Sequence, residues 1–305
     1  MRPRLYYRWW WLMRGDHVRN LQEVLAANGY NPGPIDGIFG KLTREAVIAF
    51  QRDQGLAVDG IVGPRTWAAL EALVESPAGI GYRGFLRTLA GRKVQFHLLE
   101  LERNIVAVRI LGEPRKLQTL SAMARGYDAA VSGMFFYNTA PIGTLLREGW
   151  TWTTEHPAYC TVDLDRWQLY PKGTPAMDLL KSGVQNCISG QPELLPHTSR
   201  PDSASLEGRG PRCALGWNDK QVFALVADGR NLKSAGATLP EMAQVLREFG
   251  ATYAMGLDGG GTAQMMYQGR TVNSPADGRE RLMPVGLGFI SRVGKKSKLC
   301  VGSWI

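Results

Sequence analysis

The chain has 305 residues, 44% of them apolar and 21% charged, with a formal net charge of +9 at pH 7. That length is a prior for two domains, and that balance excludes wholesale disorder. Residues 1–75 hold 9 Lys/Arg against 8 Asp/Glu, so most of the positive excess lies in the remainder, with 27 against 19; this favours either an anionic partner or a solubilising surface of one sign.

The chain opens on "MRPRLYYRWWWLM", basic and aromatic, with an apolar run too short for a signal core and no small-residue cleavage site. No stretch approaches the ~18 apolar residues of a membrane span, so an export route is not visible in the sequence. "DHVRNLQEVLAANGY" places Val18, Leu21 and Leu25 on one helical face and predicts a stop at Asn28-Gly29. "DGIFGKLTREA" (36–46) then returns as "DGIVGPRTWAA" (59–69), an internal repeat offset by 23 residues. In each copy D-G predicts a tight turn, and Thr43 or Thr66 is expected to cap the following helix through its hydroxyl. Ala46 with Phe50, and Trp67 with Leu70, give those helices an apolar face. The expectation is a three-helix bundle over 14–75. The stretch 14–70 resembles the peptidoglycan-binding domain of bacterial wall hydrolases, which implies a cell-wall anchor without catalysis. The alternative is a helical bundle used for protein contacts.

"ESPAGIGYRG" reads as a connector, placed at 76–84. Beyond it "KVQFHLLELE", "NIVAVRILG", "QVFALVADGR" and "ATYAMGLDGG" read as strands, and "TLPEMAQVLREFG" as a helix opened by a T-x-x-E capping box. The prediction is an α+β fold: the small bundle, then a larger mixed-sheet domain over 85–292, then a tail over 293–305. Cys160, Cys187, Cys213 and Cys300 form no C-x-x-C pair, which argues against structural zinc. Cys187 and Cys213 are left open as a disulfide or as buried thiols. "QNCISG" has no neighbouring His or Arg to make Cys187 a nucleophile. No G-x-x-x-x-G-K-[ST] and no H-E-x-x-H occurs, which argues against a nucleotide loop and a zinc peptidase.

From about 122 to 289 the chain resembles the phosphodiester glycosidase family. The motifs that carry this are "VADGR", "GATLPEMA", "LDGGGT" and "VNSP" followed by "ER", with "AAVSGMFFYNTAPIG" upstream. Two positions depart from the family pattern: Ser132 stands where asparagine is usual before Gly133, and Thr262 where serine usually ends the glycine run. The resemblance implies hydrolysis of a sugar-1-phosphodiester at the sugar side. That reaction needs a carboxylate near the anomeric carbon and fixed positive charge near the phosphate.

The matched motifs offer both. Asp258, Glu241 and Asp228 are the candidate catalytic carboxyls. Arg212, Arg230 and Arg281 are the candidate phosphate holders, and Gly133, Gly259, Gly260, Gly261, Thr262 and Asn273 the candidate substrate contacts. Each has a plainer reading: Glu241 caps its helix, Asp228 heads a turn, Asn273 caps its own turn, and Arg230 and Arg281 sit on solvated loops. Three glycines after Asp258 suggest backbone N–H groups held free for an oxygen ligand. No cofactor or metal is expected, and no nucleic acid. The expected partners are a wall glycan such as peptidoglycan and a phosphate-bearing sugar, outside the cell or on its wall. The competing readings are a lytic glycosidase of peptidoglycan and a non-catalytic wall protein of a spore or phage.

Overall fold

The computed structural model describes residues 3–7, 12–27, 30–73, 77–113, 115–153, 156–201 and 206–293. The expected helix stop at Asn28-Gly29, the tail beyond 293 and Cys300 lie outside these residues. The chain divides into two compact units, Met1–Ser76 and Pro77–Ile305.

In the first unit the helices are Asp16–Ala27, Lys41–Asp53 and Pro64–Leu73. Val18, Leu21, Leu25, Ala46, Val47, Phe50, Trp67 and Leu70 fill one core, with Leu5, Phe39 and Val62. The repeat is a duplicated hydrogen-bond network. Gln22, 1% exposed, accepts from Gly37 N at 2.8 Å and donates to Asp36 Oδ1, Ile38 O and Thr43 Oγ1 at 3.1, 3.0 and 3.2 Å. Gln51, also 1% exposed, accepts from Gly60 N at 2.8 Å and donates to Asp59 Oδ1, Ile61 O and Thr66 Oγ1 at 2.9, 2.9 and 3.3 Å. Gly37 and Gly60 sit at φ +75° and +68°, where a side chain is disfavoured.

The two threonines therefore do not cap their helices. Thr43 Oγ1 donates to Pro32 O at 3.0 Å and Thr66 Oγ1 to Ile61 O at 3.3 Å, while Gly40 stands at the N-cap without a side-chain bond. Each hydroxyl lies too far into its helix to reach back, and the glutamine claims it instead. A Gln51→Leu change should cost the first unit about 1–3 kcal/mol, because it strands the buried Gly60 N–H in the interior. Hydrogen exchange on the full chain reads this: amides of 41–73 should lose protection while those of the larger unit keep theirs. Gln22→Leu should do the same, since its network is equivalent.

The larger unit is built on a six-stranded sheet. In spatial order its strands are Ile80–Leu89, Arg92–Glu102, Gln221–Ala227, Arg212–Trp217, Tyr253–Leu257 and Glu193–Leu195. Two five-stranded sheets accompany it, one containing Ala129–Ser132 and Val285–Ser291, the other Cys160–Asp163 and Cys187–Gly190. All three sheets send side chains into one core; Cys213, Leu215 and Trp217 point there, while Ala214 points to a second core against the helix Leu239–Glu248. This alternation is the period-2 signature of a strand. Every ladder among the described residues is antiparallel. The α+β class stands, but the mixed sheet does not: most links are too short for the helical crossover that parallel pairing needs.

Part of the expected connector over 76–84 is strand. Ile80–Leu89 pairs with Arg92–Glu102 over its whole length. The glycines misled here because the strand lies at a sheet edge, where they cost little packing. Cys187 and Cys213 are buried free thiols, not a disulfide. Burial pushes the Cys187 thiol up to about 12, so it is protonated at neutral pH and a poor nucleophile. No helix among the described residues is long and apolar enough to cross a membrane.

Candidate functional site

Strand pairing gathers the predicted residues at one end of the six-stranded sheet. Arg212 pairs with Ala227 and Cys213 with Leu257. The segments after Ala227 and Leu257 therefore leave the sheet beside Arg212, carrying Asp228 to Arg230 and Asp258 to Thr262. The anchor beneath them is Ser132. It is fully buried; its hydroxyl bonds the Thr262 carbonyl and accepts from Gln264 N at 2.7 Å. An asparagine's extra atoms are not required for that job, so the departure at Ser132 is an internal brace of the glycine loop.

Each glycine of the run lies against a different arginine. A methyl group on Gly259 would fall 3.6 Å from Arg212 Cα and 2.8 Å from Pro211 O. One on Gly260, whose φ is +63°, would fall 3.8 Å from both terminal nitrogens of Arg230. One on Gly261 would collide with the Arg281 guanidinium and the Asp277 carboxylate. A side chain is excluded at Gly259 by the Pro211 carbonyl, at Gly260 by its left-handed backbone and at Gly261 by the Arg281–Asp277 pair, while Arg212 and Arg230 lie at ordinary contact distance from the first two. Two N–H groups of the run are already spent inside the protein: Gly260 N donates to Pro211 O at 2.9 Å, and Thr262 N to Gly259 O at 3.2 Å.

The arginines are held differently. Arg212 is 5% exposed; Nη2 donates to Leu206 O and Gly208 O, both at 3.0 Å, and Nε has no partner. Burial first, then the positive charge of Arg230, draws its pKa below the ordinary arginine value; a guanidinium still stays charged. Two like charges close enough to feel each other make a place for an anion. Arg230 is exposed and adopts φ +58°, a conformation uncommon for a residue with a side chain. Arg281 is held over Gly261 by Asp277, with Nε to Oδ2 at 2.8 Å.

Asp258 is the half-buried carboxyl at the head of the run. Its backbone N donates to Gly133 O at 3.1 Å. Desolvation raises its pKa from 3.8 to about 6, against the pull of the Thr262 hydroxyl, the Gly259 N–H and the Arg281 charge. At neutral pH it is mostly ionised, yet close to the range in which a carboxyl exchanges protons readily.

Several predicted residues support the site from outside it. Glu241 closes the capping box with Thr238, accepting from Thr238 N at 2.9 Å, and takes both terminal nitrogens of Arg209. Its two oxygens are spent on the helix start and on that ion pair, which corrects its placement among the catalytic carboxyls. Asp228, 4% exposed, accepts from Asn273 Nδ2 at 3.2 Å and Ser274 N at 3.0 Å on one oxygen, and lies 3.2 Å from His97 Nε2 with the other. It ties the strand end to the loop at 273–274 and presents no free oxygen. Asn273 is likewise spent, donating to Ala263 O at 2.9 Å and accepting from Met265 N at 2.8 Å. Gly133 donates to Val285 O at 3.2 Å, and a side chain there would meet that oxygen at 2.7 Å; its N–H braces the loop.

Sequence reading missed His97, Tyr82 and Asp277. Tyr82 OH lies 2.9 Å from His97 Nδ1, and the two rings are stacked. Burial and the Asp228 charge push the Tyr82 hydroxyl up to about 12, so it stays a neutral phenol, and His97 bridges it to Asp228 through its two ring nitrogens. Nothing local in "KVQFHLLELE" marks that histidine, because its partner is 131 residues away. Asp277 had a signal: it heads a D-G turn four residues before Arg281. Among the described residues no group of three or more His, Cys, Asp or Glu side chains gathers as a metal site.

Comparisons with known proteins agree with this division. Residues 125–290, more than half of the chain, match the family described as phosphodiester glycosidase, and residues 14–70 match a peptidoglycan-binding domain. The N-acetylmuramoyl-L-alanine amidase CwlM of Mycobacterium tuberculosis is 40% identical over 75 residues, which is 25% of this chain and 18% of that protein. The SPbeta prophage-derived uncharacterized protein YomE of Bacillus subtilis is 25% identical over 254 residues, 76% of this chain and 36% of that protein. The chain thus spans well under half the length of these relatives. Among solved structures, the catalytic domain of zebrafish N-acetylglucosamine-1-phosphodiester alpha-N-acetylglucosaminidase, auto-inhibited by its pro-peptide, superimposes with a TM-score of 0.59 at 19% identity. That likeness covers 72% of this chain and 85% of the zebrafish chain, and it speaks for a shared fold.

Proposed function

The chain belongs to the phosphodiester glycosidase family, and from that premise we propose that it hydrolyses a sugar-1-phosphodiester while residues 14–70 hold it on the bacterial wall. The observation that carries this reading is the set of three arginines lying one to each glycine beside a half-buried carboxyl.

The chemistry follows from charge. A phosphodiester carries one negative charge, and the phosphate monoester that leaves carries two. The bond that breaks joins the anomeric carbon to the phosphate oxygen, whose electrons stay with the phosphate. Water adds its hydroxyl to the anomeric carbon and releases a proton. The second negative charge exists only as the bond breaks, so cations fixed beforehand favour the transition state over the ground state. Arg212 suits this, being buried and immobilised on two carbonyls. Arg230 and Arg281 complete the clamp. Asp258, ionised, faces the positive charge that grows on the sugar ring or takes the proton from water. Thr262 and Gly259 orient its carboxylate.

The deciding experiment is incubation with an N-acetylglucosamine-1-phosphodiester and analysis of both products. Free sugar with a phosphate monoester is expected. Sugar-1-phosphate would mean cleavage on the other side of the phosphorus and would overturn the mechanism. Release of soluble fragments from phosphate-free peptidoglycan would instead favour a lytic glycosidase.

A further inference from the structure

Each of the two exposed arginines beside the glycine run is followed by an exposed leucine. Leu232 comes two residues after Arg230 and stands wholly in solvent; Leu282 follows Arg281 directly and is 48% exposed. Water is a poor place for either side chain, and neither is there because its loop is loose. Leu232 crowns a closed turn: Asn231 Oδ1 accepts from Lys233 N and Ser234 N, both at 2.9 Å, the Ser234 hydroxyl bonds the Asp228 carbonyl, and Ala235 N donates to Lys93 O at 2.9 Å. Such a turn ordinarily carries glycine, asparagine, aspartate or serine. Leu282 is set between fixed neighbours. The Glu280 carboxylate accepts from Ser121 Oγ and, at 2.7 Å, from Thr271 Oγ1, and Met283 exchanges backbone hydrogen bonds with Gln118 at 2.8 and 3.0 Å.

The arginine clamp also has a direction. Asp258 and the buried Arg212 lie at its inner end, side by side where Arg212–Trp217 pairs with Tyr253–Leu257. Arg230 and Arg281 lie at its outer end, open to solvent. A phosphodiester has two arms. With the sugar beside Asp258, the other arm leaves the phosphate past Arg230 and Arg281, and so past the two leucines. Neither loop, 229–235 or 275–283, carries an aromatic ring whose face could stack on a second sugar. The carboxylates of the second loop are occupied, Asp277 by Arg281 and Glu280 by the two hydroxyls.

We propose that the outer arm of the substrate is a long alkyl chain: the site cleaves the phosphodiester that joins a sugar to a long-chain alcohol, and releases an alkyl phosphate monoester. Arg230 and Arg281 hold the phosphate while Leu232 and Leu282 cover the first carbons of the chain. The gain grows with each methylene taken out of water, until the chain outruns the two side chains. The inference rests on reading the site as a phosphodiester glycosidase, and it adds to that reading the chemical class of the leaving group.

The test uses the full chain and three N-acetylglucosamine-1-phosphodiesters, whose second arms are methyl, decyl and the 6-position of a hexose, each kept at concentrations where it is monomeric. The decyl ester should exceed the other two at least tenfold in kcat/KM, chiefly through a lower KM. In a Leu232→Ser, Leu282→Ser double variant the decyl-to-methyl ratio should fall below three. Leu42→Ser, which removes an equally exposed leucine from the first unit, should leave that ratio as it is in the wild type. Equal rates on the methyl and decyl esters, or a preference for the hexose ester, would overturn the proposal and leave the glycosidase reading standing. An equal fall in the ratio with Leu42→Ser would show general adsorption of the alkyl chain and also overturn it. Failure to cleave any of the three esters would remove the glycosidase reading and this inference together.

Discussion

An Asp258→Asn variant should lose at least a hundredfold in kcat on the sugar phosphodiester and, at the same time, unfold at a higher temperature than the wild type. The first half follows from the role given to the carboxylate: removing a positioned proton acceptor or charge stabiliser costs on the order of 10²–10⁴. The second half follows from its surroundings. Below pH 3.8 the group is protonated whether the chain is folded or not, and costs nothing. Between 3.8 and about 6 the unfolded chain releases the proton while the native chain retains it, so stability falls as pH rises. Above that window the whole cost is present, on the order of 3 kcal/mol at neutral pH. Asparagine removes it. A pH profile supplies an independent check. Wild-type kcat/KM should climb through about pH 6 as the carboxyl ionises, and that limb should be missing from the residual activity of the variant. Unchanged kcat would remove Asp258 from the mechanism.

Arg212→Met should reduce kcat/KM by two to three orders of magnitude, in the range seen when a fixed donor to developing charge is deleted. Stability again moves the other way. A buried guanidinium bonded to carbonyls through one nitrogen, with its Nε unpartnered and Arg230 opposite, is a charge held without compensation. Replacing it with an apolar chain of similar length should leave the fold as stable or more so. Inorganic phosphate separates this from a purely structural effect. It should stabilise the wild type by about 2.7 kcal/mol at a hundredfold excess over its Kd, read as a higher unfolding temperature, and leave the variant unmoved. Equal stabilisation of both proteins would show that phosphate binds elsewhere.

What could be read from the sequence was what local chemistry writes into it. Val18, Leu21 and Leu25 recur at helical spacing, and the T-L-P-E box announces its own helix; both are found where expected. Arg212, Arg230, Arg281 and Asp258 were nameable because they flank recognisable motifs. What escaped depends on partners far along the chain. Gln22 and Gln51 look like any polar residue of an amphipathic helix until the turns 15 and 9 residues downstream donate to them. Asp228 reads as a catalytic carboxyl and Asn273 as a substrate contact because their motifs resemble those of the family. Only the fold reveals that each uses its hydrogen-bonding capacity on the other and on neighbouring backbone.

The pairing of three glycines with three arginines also fixes a length. A pocket assembled from side chains can absorb drift, since one rotamer compensates for another. Bare backbone has no rotamers, and Gly259, Gly260 and Gly261 are consecutive marks on a ruler, set in turn by the Pro211 carbonyl, a left-handed turn and the Arg281–Asp277 pair. Deleting one mark would remove no functional side chain, yet it would slide every cation onto the wrong neighbour and carry Asp258 out of register with all of them. The run is therefore a part of the molecule where a change in count should be felt more than a change in kind, and where loops grafted around the sheet end could alter the sugar recognised without disturbing the clamp.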